Sequence, residues 1–295
     1  MSIRRIIVQS VLYTLYTLVA FVVCVYLLFP YDLLQQRLVE WLSQEGRQVT
    51  LTRLRPAFPL GLQADGLRMQ VEPLSPSAPA VEIETLSVRP AWAALLSRSL
   101  QARFAAQLYG GRLEGQVRYH QAEGGPLWEV QTRLVELDVA RHALLRTGDK
   151  VFIRGRLSGD TAFTLSQAGT VQDSTITLQV RALGFLGIPG WQVPLQREIA
   201  CENFQGTLKT SQKQRGTVSL TCQSKELTLT TKDGSVGWKT PLVDSQLTIS
   251  VTVSSEKVYK QEVDLLAALV RKRPDSRGEL SFRLQGPLRQ LRLGA

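Results

Sequence analysis

Val151-Phe152-Ile153-Arg154-Gly155-Arg156-Leu157-Ser158-Gly159-Asp160 is the stretch that decides how the chain is read. Its text is that of a strand, interrupted by two glycines, and glycine inside a strand marks a bulge, a bend or the close approach of another backbone. Working outward, the same glycine-bracketed theme recurs at Gly110-Gly111-Arg112-Leu113-Glu114-Gly115, at Gly206-Thr207-Leu208 and at Gly278–Gly286. Between these units lie runs with a period of two, which is the signature of a half-buried strand. Val81-Glu82-Ile83-Glu84-Thr85-Leu86-Ser87-Val88 is the cleanest. Arg47–Leu54, Gly66–Val71, Phe104–Tyr109, Trp128–Leu137, Ala162–Leu165, Val171–Leu183, Leu227–Thr230, Ser235–Trp238, Ser245–Val253 and Leu288–Leu293 follow suit. Pro56–Gly61 should break the first of them, and Pro73–Pro79 reads as a loop. Helical turns are expected at Ala91–Ser97 and Asp138–Thr147, and a brief helix at Val263–Lys272 carrying Leu265, Leu266, Leu269 and Val270. The expected fold is mainly β, one bent, meandering antiparallel sheet with a few short helices. Spacing between the units varies, so a solenoid of fixed period is not supported.

The N-terminus reads differently. Arg4-Arg5 precede Ile6–Phe29, and no charged side chain occurs between Arg5 and Asp32. At about 1.5 Å per residue this run reaches roughly 36 Å, enough for a hydrocarbon core of about 30 Å. A cleaved signal peptide would have a shorter apolar region and a small-x-small site, whereas the neighbours of Ala20 and Cys24 are bulky. The expectation is an uncleaved single-pass transmembrane helix. By the positive-inside rule residues 1–5 stay in the cytoplasm, 6–29 span the membrane, and the bulk of the chain lies in the periplasm of a bacterial inner membrane. Residues 30–46 should form a juxtamembrane amphipathic helix, with Asp32 as cap, Gln35 completing a capping box and Gly46 as the stop. Leu34, Leu38, Trp41 and Leu42 make its apolar face, which either lies on the membrane surface or plugs the end of the sheet. The remainder, 47–295, is one periplasmic β domain.

The chain of 295 residues carries a net charge of +10. Across a membrane such charge favours anionic headgroups or acidic proteins as partners, and excludes nucleic acid. Cys201 and Cys222 bracket a hairpin centred near Ser211-Gln212, and a symmetric register puts them directly opposite each other, a spacing that suits a disulfide. Gly184–Pro194 is too rich in Gly and Pro for a helix or central strand yet carries Phe185, Leu186, Ile188 and Trp191. These fold under the sheet or contact a partner, protein or lipid. Two histidines, His120 and His142, lie far apart, and no metal, phosphate-loop, dinucleotide or serine-nucleophile signature occurs. No catalytic, metal or cofactor residue is expected, and the reading is a non-enzyme.

Phe29-Pro30-Tyr31-Asp32, the leucine-rich helix after it, Leu54-Arg55-Pro56-Ala57-Phe58-Pro59-Leu60-Gly61-Leu62, and the ending Gly278–Leu288 together resemble the type II secretion system protein N (GspN) family. The middle units, with Leu137-Asp138-Val139 before a helical turn and Gly155-Arg156-Leu157-Ser158-Gly159, resemble AsmA-like envelope proteins. The first resemblance implies an inner-membrane accessory of the type II secretion machine that works by contact with its other inner-membrane or periplasmic components. The second implies lipid binding or transfer along an apolar groove. A scaffold should fill the apolar face with packed side chains; a lipid conduit should leave a continuous groove.

Overall fold

The structure is a computed structural model that describes residues 3–43, 47–57, 61–71, 81–91, 94, 99–122, 125–141, 146–147, 150–151, 153–166, 171–188, 193–211, 215–224, 227–239, 244–255, 260–287 and 292–294. Two helices, α1 (Ile3–Leu28) and α2 (Tyr31–Leu42), precede a run of strands: β1 (Arg47–Ala57), β2 (Gly61–Val71), β3 (Val81–Pro90), β4 (Leu100–Leu108), β5 (Gly111–Ala122) and β6 (Gly125–Asp138). A single 3-10 turn, Val139–Arg141, and the small hairpin β7 (Arg146–Thr147) and β8 (Lys150–Val151) lead to β9 (Ile153–Ser166), β10 (Val171–Ile188), β11 (Val193–Ser211), β12 (Arg215–Gln223), β13 (Leu227–Gly237) and β14 (Gln246–Ser255). Helix α3 (Lys260–Val270), β15 (Leu280–Pro287) and β16 (Arg292–Gly294) close the chain. Apart from the β7–β8 hairpin, every strand joins one 14-stranded sheet in chain order, and all its pairs are antiparallel. Each strand therefore pairs with its nearest neighbours in sequence, as a meander requires.

The register sorts the side chains into two faces. One row of directly opposed residues runs Leu54, Ala64, Leu86, Ala106, Leu113, Leu134, Gly159, Leu178, Gly206, Leu220 across β1 to β12. The adjacent row on the other face reads Ser87, Ala105, Glu114, Arg133, Asp160, Thr177, Thr207, Ser219. Large and small side chains interdigitate along the apolar row. A Cβ on Gly159 would meet Thr177 O at 2.3 Å and Leu178 Cδ2 at 2.9 Å. Gly206 serves close approach with no register shift beside it. The β6 shift begins at the Leu134–Gly159 pair, and a β10 shift lies opposite Gly155; they sit beside Glu136 and Ala182, at φ of 54° and 50°, and a third lies beside Asp233 at 54°. A residue in the left-handed region is normally Gly or Asn, so the glycines of β9 announce the first two bends from the neighbouring strand and not from the bent residues themselves.

Two cores flank the sheet on its apolar face. Near the N-terminus, Val49, Leu51, Leu54, Ala64 and Leu67 pack with Leu34, Leu38, Val39 and Leu42 of α2. Near the C-terminus, Val263, Leu266, Ala267 and Val270 of α3 pack onto Val218, Val236, Ile249, Val251, Val253, Leu280 and Phe282. The buried stripe of α3 thus has spacing i, i+3, i+4, i+7, and Leu265 and Leu269 lie off it, 37% and 39% exposed. Arg271, at φ 54°, ends the helix, with the Lys272 N–H donating to Ala267 O at 3.0 Å.

Several expectations are corrected. The break expected over Pro56–Gly61 falls between Ala57, where β1 ends, and Gly61, where β2 begins, so Pro56 and Ala57 still belong to the strand. Gln35 forms no capping box: α2 has no side-chain cap bond, and Asp32 sits in its first turn. The Gln35 amide instead donates to Leu51 O at 2.9 Å and accepts from the Leu54 N–H at 3.0 Å, fastening α2 to the end strand of the sheet. Of the helical turn expected over Asp138–Thr147, Val139–Arg141 is a 3-10 turn and Arg146–Thr147 is strand, and 142–145 lie outside the described residues. Gly184–Ile188 is no loop; it extends β10, a central strand paired with both β9 and β11. Gly184 and Phe185 pair on both sides, and Gly187 and Ile188 pair with β11 after a register shift. Cys201 is not directly opposite Cys222: Cys222 faces Phe204, and Cys201 faces Leu183 on β10. The two cysteines are nevertheless bridged, with Cα atoms 5.8 Å apart.

Helix α1, at about 1.5 Å per residue, is about 39 Å long. Among the described residues, no helix is long and apolar enough to cross a membrane.

Candidate functional site

Between the two helix-covered ends lies a stretch of the apolar face with no described helix over it. It is built from the register of β3 to β10, each strand presenting alternate side chains. Val88, Phe104, Gly115, Thr132, Thr161 and Ile176 form one row, and Ala102, Val117, Val130 and Phe163 the next. A third row, Leu100, Tyr119, Trp128 and Leu165, stands at the margin. Tyr119 and Trp128 stack in a tilted pair with ring centroids 4.9 Å apart. Burial is uneven across this middle: Ala106, Ser174 opposite Phe163 and Val171 opposite Leu165 are buried, and the margin is open. Leu280 is fully buried at 0% exposure, whereas Leu100 is 57% and Trp128 40% exposed. Leu113, Val117, Val130, Leu134, Phe163 and Ile176 are all half-buried. The hydroxyls of Thr132 and Thr161 bond to each other, which hides their polarity from the apolar surface.

The opposite face is polar and its side chains pair both across strands and, for Arg112 and Glu114, along β5. Arg133 Nε lies 2.8 Å from Asp160 Oδ1, Arg112 Nε 2.7 Å from Glu114 Oε1, and the amides of Gln101, Gln116 and Gln131 form a ladder at 3.0 and 2.8 Å. The bond to Asp160 holds the Arg133 guanidinium above its usual range. Arg154 is doubly bonded to Glu198. An open cavity of about 960 Å³ lies over this face across β3 to β10.

The residues expected to make contacts are spread over three places. Leu34, Leu38 and Leu42 pack against the N-terminal core, so the plug reading describes them. Trp41 does not join them; with Leu33 it lies on another side of α2, 66% and 61% exposed. Phe185 packs onto the C-terminal core and Leu186 is 42% exposed. Ile188 lies in β10, its side chain outside the described ones, and Trp191 is outside the described residues. Cys201 and Cys222 are each 1% exposed and serve as a staple within the core. The open middle rows are what sequence reasoning missed. Their strands were legible, but which rows end up beneath a helix depends on where α2 and α3 land. His120, one of the two histidines, has Nδ1 3.9 Å from Glu129 Oε1, and His142 lies outside the described residues. Among the described residues, no group of His, Cys, Asp and Glu is placed to hold a metal ion. No family model, no curated protein and no solved structure matches this chain.

Proposed function

We propose that this chain is a membrane-anchored, non-catalytic binding platform of the bacterial envelope, serving the type II secretion machine as an inner-membrane accessory of the GspN kind. The observation that carries the platform reading is the open middle of the apolar face, flanked by two ends that the chain's own helices cover. A half-exposed, contiguous apolar patch on a rigid sheet is a contact surface. The family assignment rests on the resemblances at Phe29–Asp32, Leu54–Leu62 and Gly278–Leu288. Anchoring rests on the uncharged text of Ile6–Phe29 and on the exposure of its described side chains, Tyr13 at 71% and Phe21 at 65% among them. The exposed Trp41 and Leu33 then sit where a juxtamembrane helix meets headgroups. Protease added to intact spheroplasts should digest the β domain and spare the N-terminus. Deleting the gene should abolish export of the secreted enzymes while leaving membrane lipid composition unchanged.

A second reading has its own observation in favour. The apolar rows continue from strand to strand without a charged residue, which is the continuous surface that acyl chains require. On that reading the sheet carries lipid between membranes. Lipid retained by the β domain purified without detergent supports it, together with altered lipid distribution on deletion.

A further inference from the structure

The polar face carries a charge pattern that neither reading uses. Along it, arginines meet carboxylates: Arg133 meets Asp160, Arg112 meets Glu114, and Arg118 meets Glu129 at 3.8 Å. Two positions break that rule by setting arginine directly against arginine, Arg156 opposite Arg181 and Arg89 opposite Arg103. Like charges directly opposed on neighbouring strands destabilise the pair. At the first, Glu136 stands between the two, 4.0 Å from Arg156 and 3.7 Å from Arg181. At the second, no carboxylate of the described residues forms an ion pair with either guanidinium. Both arginines line the cavity of about 960 Å³, and Arg103 also borders a neighbouring one of about 590 Å³. Gly61 makes room for the stem of Arg89, since a Cβ there would lie 2.8 Å from Arg89 Cγ.

We propose that Arg89 and Arg103 form a site for a phosphate group, which takes the place between them that Glu136 takes between Arg156 and Arg181. Two guanidinium forks present paired N–H donors, and a phosphate ester offers both the oxygens and the second negative charge to satisfy them. The phosphate belongs either to a lipid headgroup or to a soluble ester. The site is on the face of the sheet away from the apolar rows, so it stands independently of the proposed function.

The full chain in non-ionic detergent is titrated with inorganic phosphate, glycerol 3-phosphate and dihexanoyl phosphatidic acid at constant ionic strength, with chloride as control, and the unfolding temperature is followed. The wild type should rise with the phosphates and not with chloride. Arg89→Glu supplies the missing carboxylate within the chain, so it should start from a higher unfolding temperature and lose the phosphate response. Arg89→Gln and Arg103→Gln, which bring no new charge, should weaken phosphate binding about tenfold or more, while Arg156→Gln should leave it intact. A response to phosphatidic acid at much lower concentration than to glycerol 3-phosphate assigns the headgroup; equal responses assign a soluble ester. Equal phosphate responses in wild type and both Gln variants, or no response of the wild type to any of the three, would overturn the site.

Discussion

The two ends of the apolar face and its middle are made of the same side chains, yet they are used differently. At the C-terminal end, Ile249, Val251, Val253 and Leu280 are sealed beneath α3; in the middle, Leu113, Val117, Val130 and Leu134 are half-buried. Apolar content therefore does not tell core from contact surface. What tells them apart is the placement of two amphipathic helices, each of which can cover only a few strands. A helix about 10–12 Å across spans two or three strands spaced about 4.8 Å apart. Among the described residues a helix lies near each end of the 14 strands, and a middle is left over.

That contrast can be broken or sharpened by substitution. The largest effect is expected at the covered end: Leu280→Ala should lower unfolding free energy by about 3–5 kcal/mol, because a fully buried Leu leaves a cavity. Leu134→Ala in the open middle should cost about 1–2 kcal/mol, less than half as much, and chemical denaturation of the two variants measures the ratio. Next comes the staple. Reducing Cys201–Cys222, or Cys222→Ser, should cost about 2–4 kcal/mol, read as a drop in the unfolding midpoint under reducing conditions. Gly159→Ala should cost about 1–3 kcal/mol, since its Cβ would press on Thr177 O and Leu178. Gln35→Ala removes the two bonds that fasten α2 to β1, and about 1–3 kcal/mol is expected because backbone groups of Leu51 and Leu54 lose partners. The smallest effect is expected on the polar face. Arg133→Ala breaks an exposed ion pair with Asp160 and should move stability by less than about 1 kcal/mol.

Much of this fold was legible in the residues. Val81–Val88 alternates and is β3, and the glycine-spaced units do line up as one antiparallel meander. The failures have particular physical causes. Gly184–Ile188 reads as a loop because propensity disfavours glycine in strands, but pairing on both sides at Gly184 and Phe185, and with β11 at Gly187 and Ile188, outweighs it. A register symmetric about Ser211-Gln212, which would oppose Cys201 and Cys222, is not the one adopted. Pairing of Ser211 with Arg215 moves the turn by more than one residue, which no alternation pattern reveals. Gln35 has the spacing of a capping box, yet a tertiary partner with two free backbone groups wins. The open middle required knowing which strands the helices cover, and Arg89 opposite Arg103 required the register itself. Both are long-range facts.

The most direct test places a photo-crosslinking amino acid at Val117, in the open middle, and at Val251, beneath the C-terminal core, in the full chain in native membranes. The open-platform account predicts adducts from Val117 to a molecule other than this chain, a protein or a lipid, and from Val251 only within the chain. Adducts from Val117 confined to the chain itself would contradict it, because the middle would then be as covered as the ends.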